Sequence, residues 1–163
     1  MAEKFDLNDL VKDLDTGKQP QWIIDHMRLY LESGGKEGHL FDASFTGTGA
    51  GQLPTLLLTT TGRKSSKKRM TPLIYGVFGG NHIIIGSKGG SETHTGWYFN
   101  LVDNPAAEIQ VGPEKFPVRA RFAAGEERAQ IWKHMLTVFP TFGEYQNKTP
   151  REIPVVVLEK QPA

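Results

Sequence analysis

The sequence predicts an α+β protein: a small, mainly antiparallel β-barrel with helices packed outside it. Three observations carry this expectation. Apolar and β-branched runs at 55–61, 69–78, 82–87, 107–111, 115–123 and 153–159 read as about six strands. Most are joined through hairpin turns such as Gly79-Gly80-Asn81, not through the helical crossovers of a doubly wound sheet. The 163 residues amount to one domain, long enough to bury a core without staples. Closing such strands into a barrel removes their edges.

In chain order, residues 1–19 are polar and charged, with Leu7, Leu10, Val11 and Leu14 spaced for a short helix. A stronger helix runs from Pro20 to Ser33. Pro20 suits its first turn, Ile23, Met27, Tyr30 and Leu31 form one stripe, and Gly34-Gly35 ends it. GTGAGQLP (47–54) reads as a glycine-rich loop. TLLLTTT (55–61) is the first strand, followed by the turn GRKSSKK. RMTPLIYGVF (69–78) is the second, with Pro72 marking a bulge or an edge. HIIIGS (82–87) is the third. A loop then leads to a short helix, TGWYFNLVDN, stopped by Asn104-Pro105. AEIQV (107–111) and KFPVRARFA (115–123) form another hairpin, where Val118, Ala120 and Phe122 alternate with Arg119 and Arg121. Gly125 to Phe139 is an amphipathic helix with Glu126 and Glu127 near its positive end. PTFGEYQNKTP is an aromatic loop or short helix, and IPVVVLE (153–159) is the last buried strand.

Composition excludes several functions. With no cysteine, disulfide scaffolds, Cys-ligated zinc, iron–sulfur clusters and thiol catalysis all drop out. No 18-residue apolar run predicts a membrane span, and the N-terminus lacks the pattern of a signal peptide. The expected setting is a soluble, cytoplasmic protein. The net charge of +1 hides an uneven distribution: residues 1–42 sum to −4 and residues 89–163 to −1. Between Asp42 and Glu92 there is no acid, while Arg63, Lys64, Lys67, Lys68, Arg69 and Lys88 give +6. That concentration suggests an anionic ligand.

The turn Gly62-Arg63-Lys64-Ser65-Ser66 is the strongest local signal. Its amides can form an anion-binding nest, and Arg69 follows close by. A solvated basic hairpin tip is the competing explanation. It is not a P-loop, since Arg63 separates Gly62 from Lys64. Ser87-Lys88-Gly89-Gly90 is a second donor-rich turn, or simply a flexible loop. Trp97, Tyr98 and Phe99 can wall a flat ring whose edge Asn100 would hydrogen-bond, although any one of these aromatics more often faces a core. Phe139, Phe142 and Tyr145 form a third aromatic group, the last two read as loop residues lining a site. The histidines His26, His39, His82, His94 and His134 never fall at metal-face spacing, so no metal is assigned. No G-x-S-x-G elbow supports a serine hydrolase.

Taken in order, LLLTTTGRKSSKKRMTPLIY, IIIGSKGG, WYFNLVDNP, GEERAQIWKHM and REIPVVVLE resemble the deazaflavin-dependent nitroreductase family, over about residues 53–159. The resemblance implies a split β-barrel like those of flavin reductases and pyridoxamine-phosphate oxidases over 46–163, with a helical N-terminal extension over 1–45. It implies coenzyme F420, an 8-hydroxy-5-deazaflavin with an anionic phosphate and polyglutamate tail. By motif, tail and phosphate contacts fall on Arg63, Lys64, Ser65 and Arg69. Met70, Thr71, Pro72, Leu73 and Ile74 would run beside the cofactor. Ile85, Gly86, Ser87 and Lys88 would face the ring, and Gly96, Trp97, Tyr98, Phe99 and Asn100 would complete the pocket. Phe139, Phe142 and Tyr145 would line the substrate pocket. The family's characterised nitroreductases carry tyrosines in that loop, and here only Tyr145 keeps its hydroxyl.

The implied activity is hydride transfer from the reduced coenzyme to an electron-poor quinone, activated alkene or nitroaromatic. Ser87 would position the acceptor and Tyr145 or water would deliver the proton. The partners are then a small-molecule acceptor and an F420-reducing system, with a homodimer allowed. Two other classes stay open: an FMN enzyme on the same barrel, and a nucleic-acid-binding module, for which six basic residues are a small footprint. The acidic residues 1–19 argue against membrane insertion and allow at most a peripheral contact.

Overall fold

A computed structural model describes residues 21–37, 39–42, 52–64, 66–87, 94 and 96–162. The helix expected within 1–19, the 45/46 boundary, most of the glycine-rich loop, Ser65 and Lys88 lie outside those residues. The elements are α1 (Gln21–Glu32), β1 (Leu40–Asp42), β2 (Gln52–Thr61), β3 (Lys68–Phe78), β4 (Asn81–Ile85) and α2 (Gly96–Asp103), then β5 (Ala106–Val111), β6 (Glu114–Phe122), α3 (Gly125–Val138), α4 (Thr141–Asn147) and β7 (Val155–Lys160).

Six strands close into an antiparallel barrel in the order β2-β3-β4-β7-β6-β5, with β5 pairing back onto β2. This is the barrel that the hairpin pattern predicts. The short β1 pairs with the first residues of β2, Leu40 opposite Pro54. Three apolar-to-acidic residues carry no readable period, so β1 is absent from the sequence reading. β2 also starts three residues earlier than expected, because β1 supplies a partner for 52–54.

Strict alternation divides the core in two. Leu56, Leu58, Ile84, Ile109, Val118, Val156 and Leu158 point into the barrel, where Trp97 and Leu101 of α2 join them. Ile83, Ile85, Val155 and Val157 point outward and are covered by Ile131 and Met135 of α3 and Phe142 of α4. The cross-strand pairs Ile83–Val157 and Ile84–Val156 lie on opposite faces of one ladder. Gly76 lies directly beneath Met135, where a side chain would collide with the thioether. That close approach explains a glycine inside a strand.

Tyr30 ties α1 to the barrel. Its side chain is fully buried, and its hydroxyl lies 3.0 Å from the Thr55 carbonyl and 3.1 Å from that of Gln110. The same oxygen accepts from the Gly112 N–H at 2.7 Å. Burial, opposed by the Gly112 hydrogen bond, pushes its pKa up to about 12. Just beyond α1, Gly35 has φ +83°, and any side chain there would overlap the Gly112 carbonyl. Among the described residues no helix is long and apolar enough to cross a membrane.

Candidate functional site

The cationic turn between β2 and β3 is held from inside. The Gly62 N–H donates to the Lys67 carbonyl at 2.7 Å, and the Ser66 N–H to the Gly62 carbonyl at 2.8 Å. Ser66 takes a left-handed φ of +60° to close it. The Arg63 N–H donates to Asn100 Oδ1 at 3.1 Å, and Asn100 Nδ2 donates to Thr60 Oγ1 at 3.2 Å. These bonds correct two expectations. The amides of Gly62, Arg63 and Ser66 are engaged within the protein, so they form no open nest. The buried Asn100 uses one N–H and its Oδ1 to fix the turn against α2, so it holds the turn in place where a ring-edge contact was expected. What the turn offers outward is charge: the Arg63 and Lys64 side chains are exposed.

Arg69 is the register partner of Thr60 and leaves the sheet on the same face. It is buried, unlike Arg63 and Lys64. Among the described residues, Lys68–Ile74 of β3 pair with β2 alone, because the β4 pairing begins only at Tyr75. Pro72 sits in this one-sided stretch, as its missing N–H requires. Met70 and Thr71 are buried, while Pro72, Leu73 and Ile74 are half-buried.

Helix α2 splits its aromatics. Trp97 turns into the barrel core, which is the commoner fate of such a residue and removes it from a pocket wall. Tyr98 and Phe99 stay half-buried on the outside and meet each other edge-on at 5.6 Å. The Arg63 guanidinium lies 4.7 Å over the Phe99 ring. His94 stacks on Tyr98 at 4.3 Å and contacts Phe99 at 5.8 Å. Arg151 Nη1 donates to His94 Nδ1 at 3.2 Å. Burial first, and then this guanidinium, holds the imidazole below its ordinary pKa, so His94 is neutral with its proton on Nε2. Arg151 Nη2 also reaches the carbonyls of Gly86 at 3.2 Å and Ser87 at 2.9 Å. One chain of contacts therefore runs Arg63–Phe99–His94–Arg151–Ser87. It joins the cationic turn, α2 and the end of β4 into a single wall.

Sequence reasoning missed Arg151. Its only signal was a basic residue two positions before the last buried run, and only folding brings it beside Gly86, 65 residues away. Gln146 was missed as well. Its Nε2 donates to the Arg151 carbonyl at 2.7 Å, and its Oε1 accepts from the Ile153 N–H at 2.9 Å.

The third aromatic group is corrected in part. Phe142 is not an exposed loop residue, and neither it nor Phe139 is open to a pocket. Phe139 and Phe142 are 2% and 4% exposed, meet edge-on at 5.0 Å and belong to the layer beneath α3 and α4. The segment is a helix whose apolar face had to be buried. Tyr145 is half-buried beside the same layer, 6.3 Å from Phe139. Burial, and then Glu144, raise its pKa, so the phenol stays protonated at neutral pH.

Residues 22–160 match the family described as F420H(2)-dependent quinone reductase. The chain is 37% identical over 156 residues to an F420H(2)-dependent quinone reductase of Mycobacterium tuberculosis, covering 94% of this chain and 99% of that one. Among solved structures, one described as an F420-H2-dependent reductase superposes with TM-score 0.61 at 44% identity, over 65% of this chain and 94% of the other. A second, described as a domain-swapped dimer, superposes with TM-score 0.64 at 38% identity, over 85% of this chain and 98% of the other.

Proposed function

Because the chain belongs to the F420H(2)-dependent quinone reductase family, we propose that it is an oxidoreductase using reduced coenzyme F420 to reduce an electron-poor acceptor, in the first place a quinone. Activated alkenes and nitroaromatics are the next acceptors in order. The observation that carries this reading is the continuous wall from Arg63 to Ser87. It sets exposed cations at one end of an aromatic surface and a strand terminus at the other. A flat ring with an anionic tail has that same polarity, so the residues present fit the coenzyme.

Bound F420 would supply a hydride from its reduced ring. Arg63, Lys64, Ser65 and Arg69 would hold the tail and phosphate, and Lys88 would face the ring. The one-sided stretch of β3, Met70 to Ile74, would run beside the ring together with Gly86, whereas the Ile85 side chain lies in the layer covered by α3 and α4 and does not face the ring. Phe99 and Tyr98 would give it an apolar face. Ser87 would position the acceptor, and Tyr145 or water would supply the proton that completes its reduction. The setting that goes with this reading is the cytoplasm, with at most a peripheral membrane contact, and an F420-reducing system to feed it. The domain-swapped relative supports a homodimer, which sedimentation can check.

Titrating the purified protein with oxidised F420 tests the reading. A saturable change in coenzyme fluorescence at micromolar concentration is expected. No change, or a yellow flavin spectrum on the purified protein, overturns it, the latter in favour of FMN.

A further inference from the structure

Strand β4 ends in an unusual way. Its ladder with β7 stops at Ile85–Val155, and the Gly86 N–H then donates to the Pro154 carbonyl at 3.0 Å. Past that point the carbonyls of Gly86 and Ser87 have left the sheet, and Arg151 Nη2 takes both. The guanidinium is itself set by a fixed backbone. The Arg151 carbonyl accepts from Gln146, and its N–H donates to the hydroxyl of the buried Thr149 at 3.4 Å.

The peptide between Gly86 and Ser87 is trans and planar, so its carbonyl and its N–H point in opposite directions. With the Gly86 carbonyl held by Arg151, the Ser87 N–H faces away from the guanidinium. Neither this N–H nor the Ser87 hydroxyl has a partner among the described residues, although Ser87 is only 8% exposed. An N–H and a hydroxyl left open together on a mostly buried residue can receive one acceptor atom between them.

We propose that Arg151 is a positioning residue that fixes the Ser87 N–H and hydroxyl as a paired donor site for a carbonyl oxygen of the acceptor. The inference rests on the functional reading above and adds the group that sets its geometry. Reduced F420 gives up a hydride and is oxidised by two electrons. The quinone takes that hydride and becomes a hydroquinone monoanion, and one proton from Tyr145 or water completes the hydroquinone. Negative charge grows on the acceptor oxygen as the hydride arrives, and donors fixed in advance favour that change over the uncharged quinone. Arg151 suits the task because its planar fork serves two carbonyls and His94 Nδ1 together, which a lysine ammonium cannot match.

The test uses full-length Arg151→Ala, Arg151→Lys, Ser87→Ala and the Arg151→Ala/Ser87→Ala double variant, with menadione as acceptor. Each is measured for coenzyme Kd, kcat, KM and melting temperature. Arg151→Ala is expected to lower kcat about tenfold or more, a larger factor than the rise in the Kd for oxidised F420. Arg151→Lys should fall between. The double variant should be no slower than the worse single one, because both changes remove the same donor site. Full kcat in Arg151→Ala overturns the role, and so do multiplicative losses in the double variant. A fall in kcat matched by equal losses in coenzyme affinity and melting temperature also overturns it, since it marks a purely structural clamp. Wild-type protein that neither binds F420 nor reduces menadione overturns the functional reading itself, an outcome distinct from the others.

Discussion

Lys64 and Arg63 carry the exposed charge of the β2–β3 turn, and the amides of Gly62, Arg63 and Ser66 are already engaged within the protein, which leaves these side chains as the main contacts for an anion. Lys64→Ala should therefore raise the coenzyme Kd about three- to fivefold, the scale of one exposed ion pair. Unchanged affinity in a fluorescence titration places the tail elsewhere. Asn100 has a different part to play. Replacing it with alanine strands the Arg63 N–H and the Thr60 hydroxyl, costing about 1–3 kcal/mol of stability and loosening the turn. Denaturant unfolding and coenzyme titration should show both losses together; a loss of stability with unchanged affinity separates the turn from the binding site. Tyr145→Phe tests proton delivery. Turnover should fall while coenzyme affinity stays near wild type, and equal turnover leaves water as the donor. The same residue also shows where sequence reading ended. Its hydroxyl was visible, but the burial of Phe139 and Phe142 beneath α3 was not, because an aromatic triplet at i, i+3, i+6 serves a helix face and a pocket equally well.

At the scale of elements, α1 docks on the barrel through the buried Met27 and the Tyr30 hydroxyl. Tyr30 holds its proton to about pH 12, whereas an unfolded tyrosine loses it near pH 10. The stabilisation is complete below pH 10. It is lost as pH rises from about 10 to 12, because only the unfolded chain releases its proton in that window. Two pH units correspond to about 2–3 kcal/mol. Tyr30→Phe should destabilise the protein at pH 7, since the buried Gly112 N–H loses its acceptor, and should flatten the alkaline fall. Stability measured against pH in urea distinguishes the two proteins. An identical alkaline slope in both assigns that fall to another group. The helix was legible from the stripe of Ile23, Met27, Tyr30 and Leu31, but the register of Tyr30 against β2 and β5 was not. Those contacts span 25 and 80 residues.

For the whole molecule the decisive property is charge segregation. An acid-free stretch worth +6 sits in a chain of net charge +1. If an anionic tail binds there, affinity for F420 should fall as salt rises from 0.05 to 0.5 M, since the Debye length is about 10 Å at 0.1 M and shorter above it. Affinity independent of salt counts against the cationic turn as the tail site.

By itself the sequence determined the strand pattern, the closure into a barrel and the position of the charge. Each of these depends on neighbours along the chain: alternation, hairpin turns and the absence of acids between Asp42 and Glu92. Tertiary structure decided which polar groups are already satisfied. It spent Asn100 on the turn, sent Trp97 into the core and put Arg151 against Gly86 and Ser87. Hydrogen bonds over these separations depend on barrel closure and the packing of α2 and α4, which no local spacing encodes.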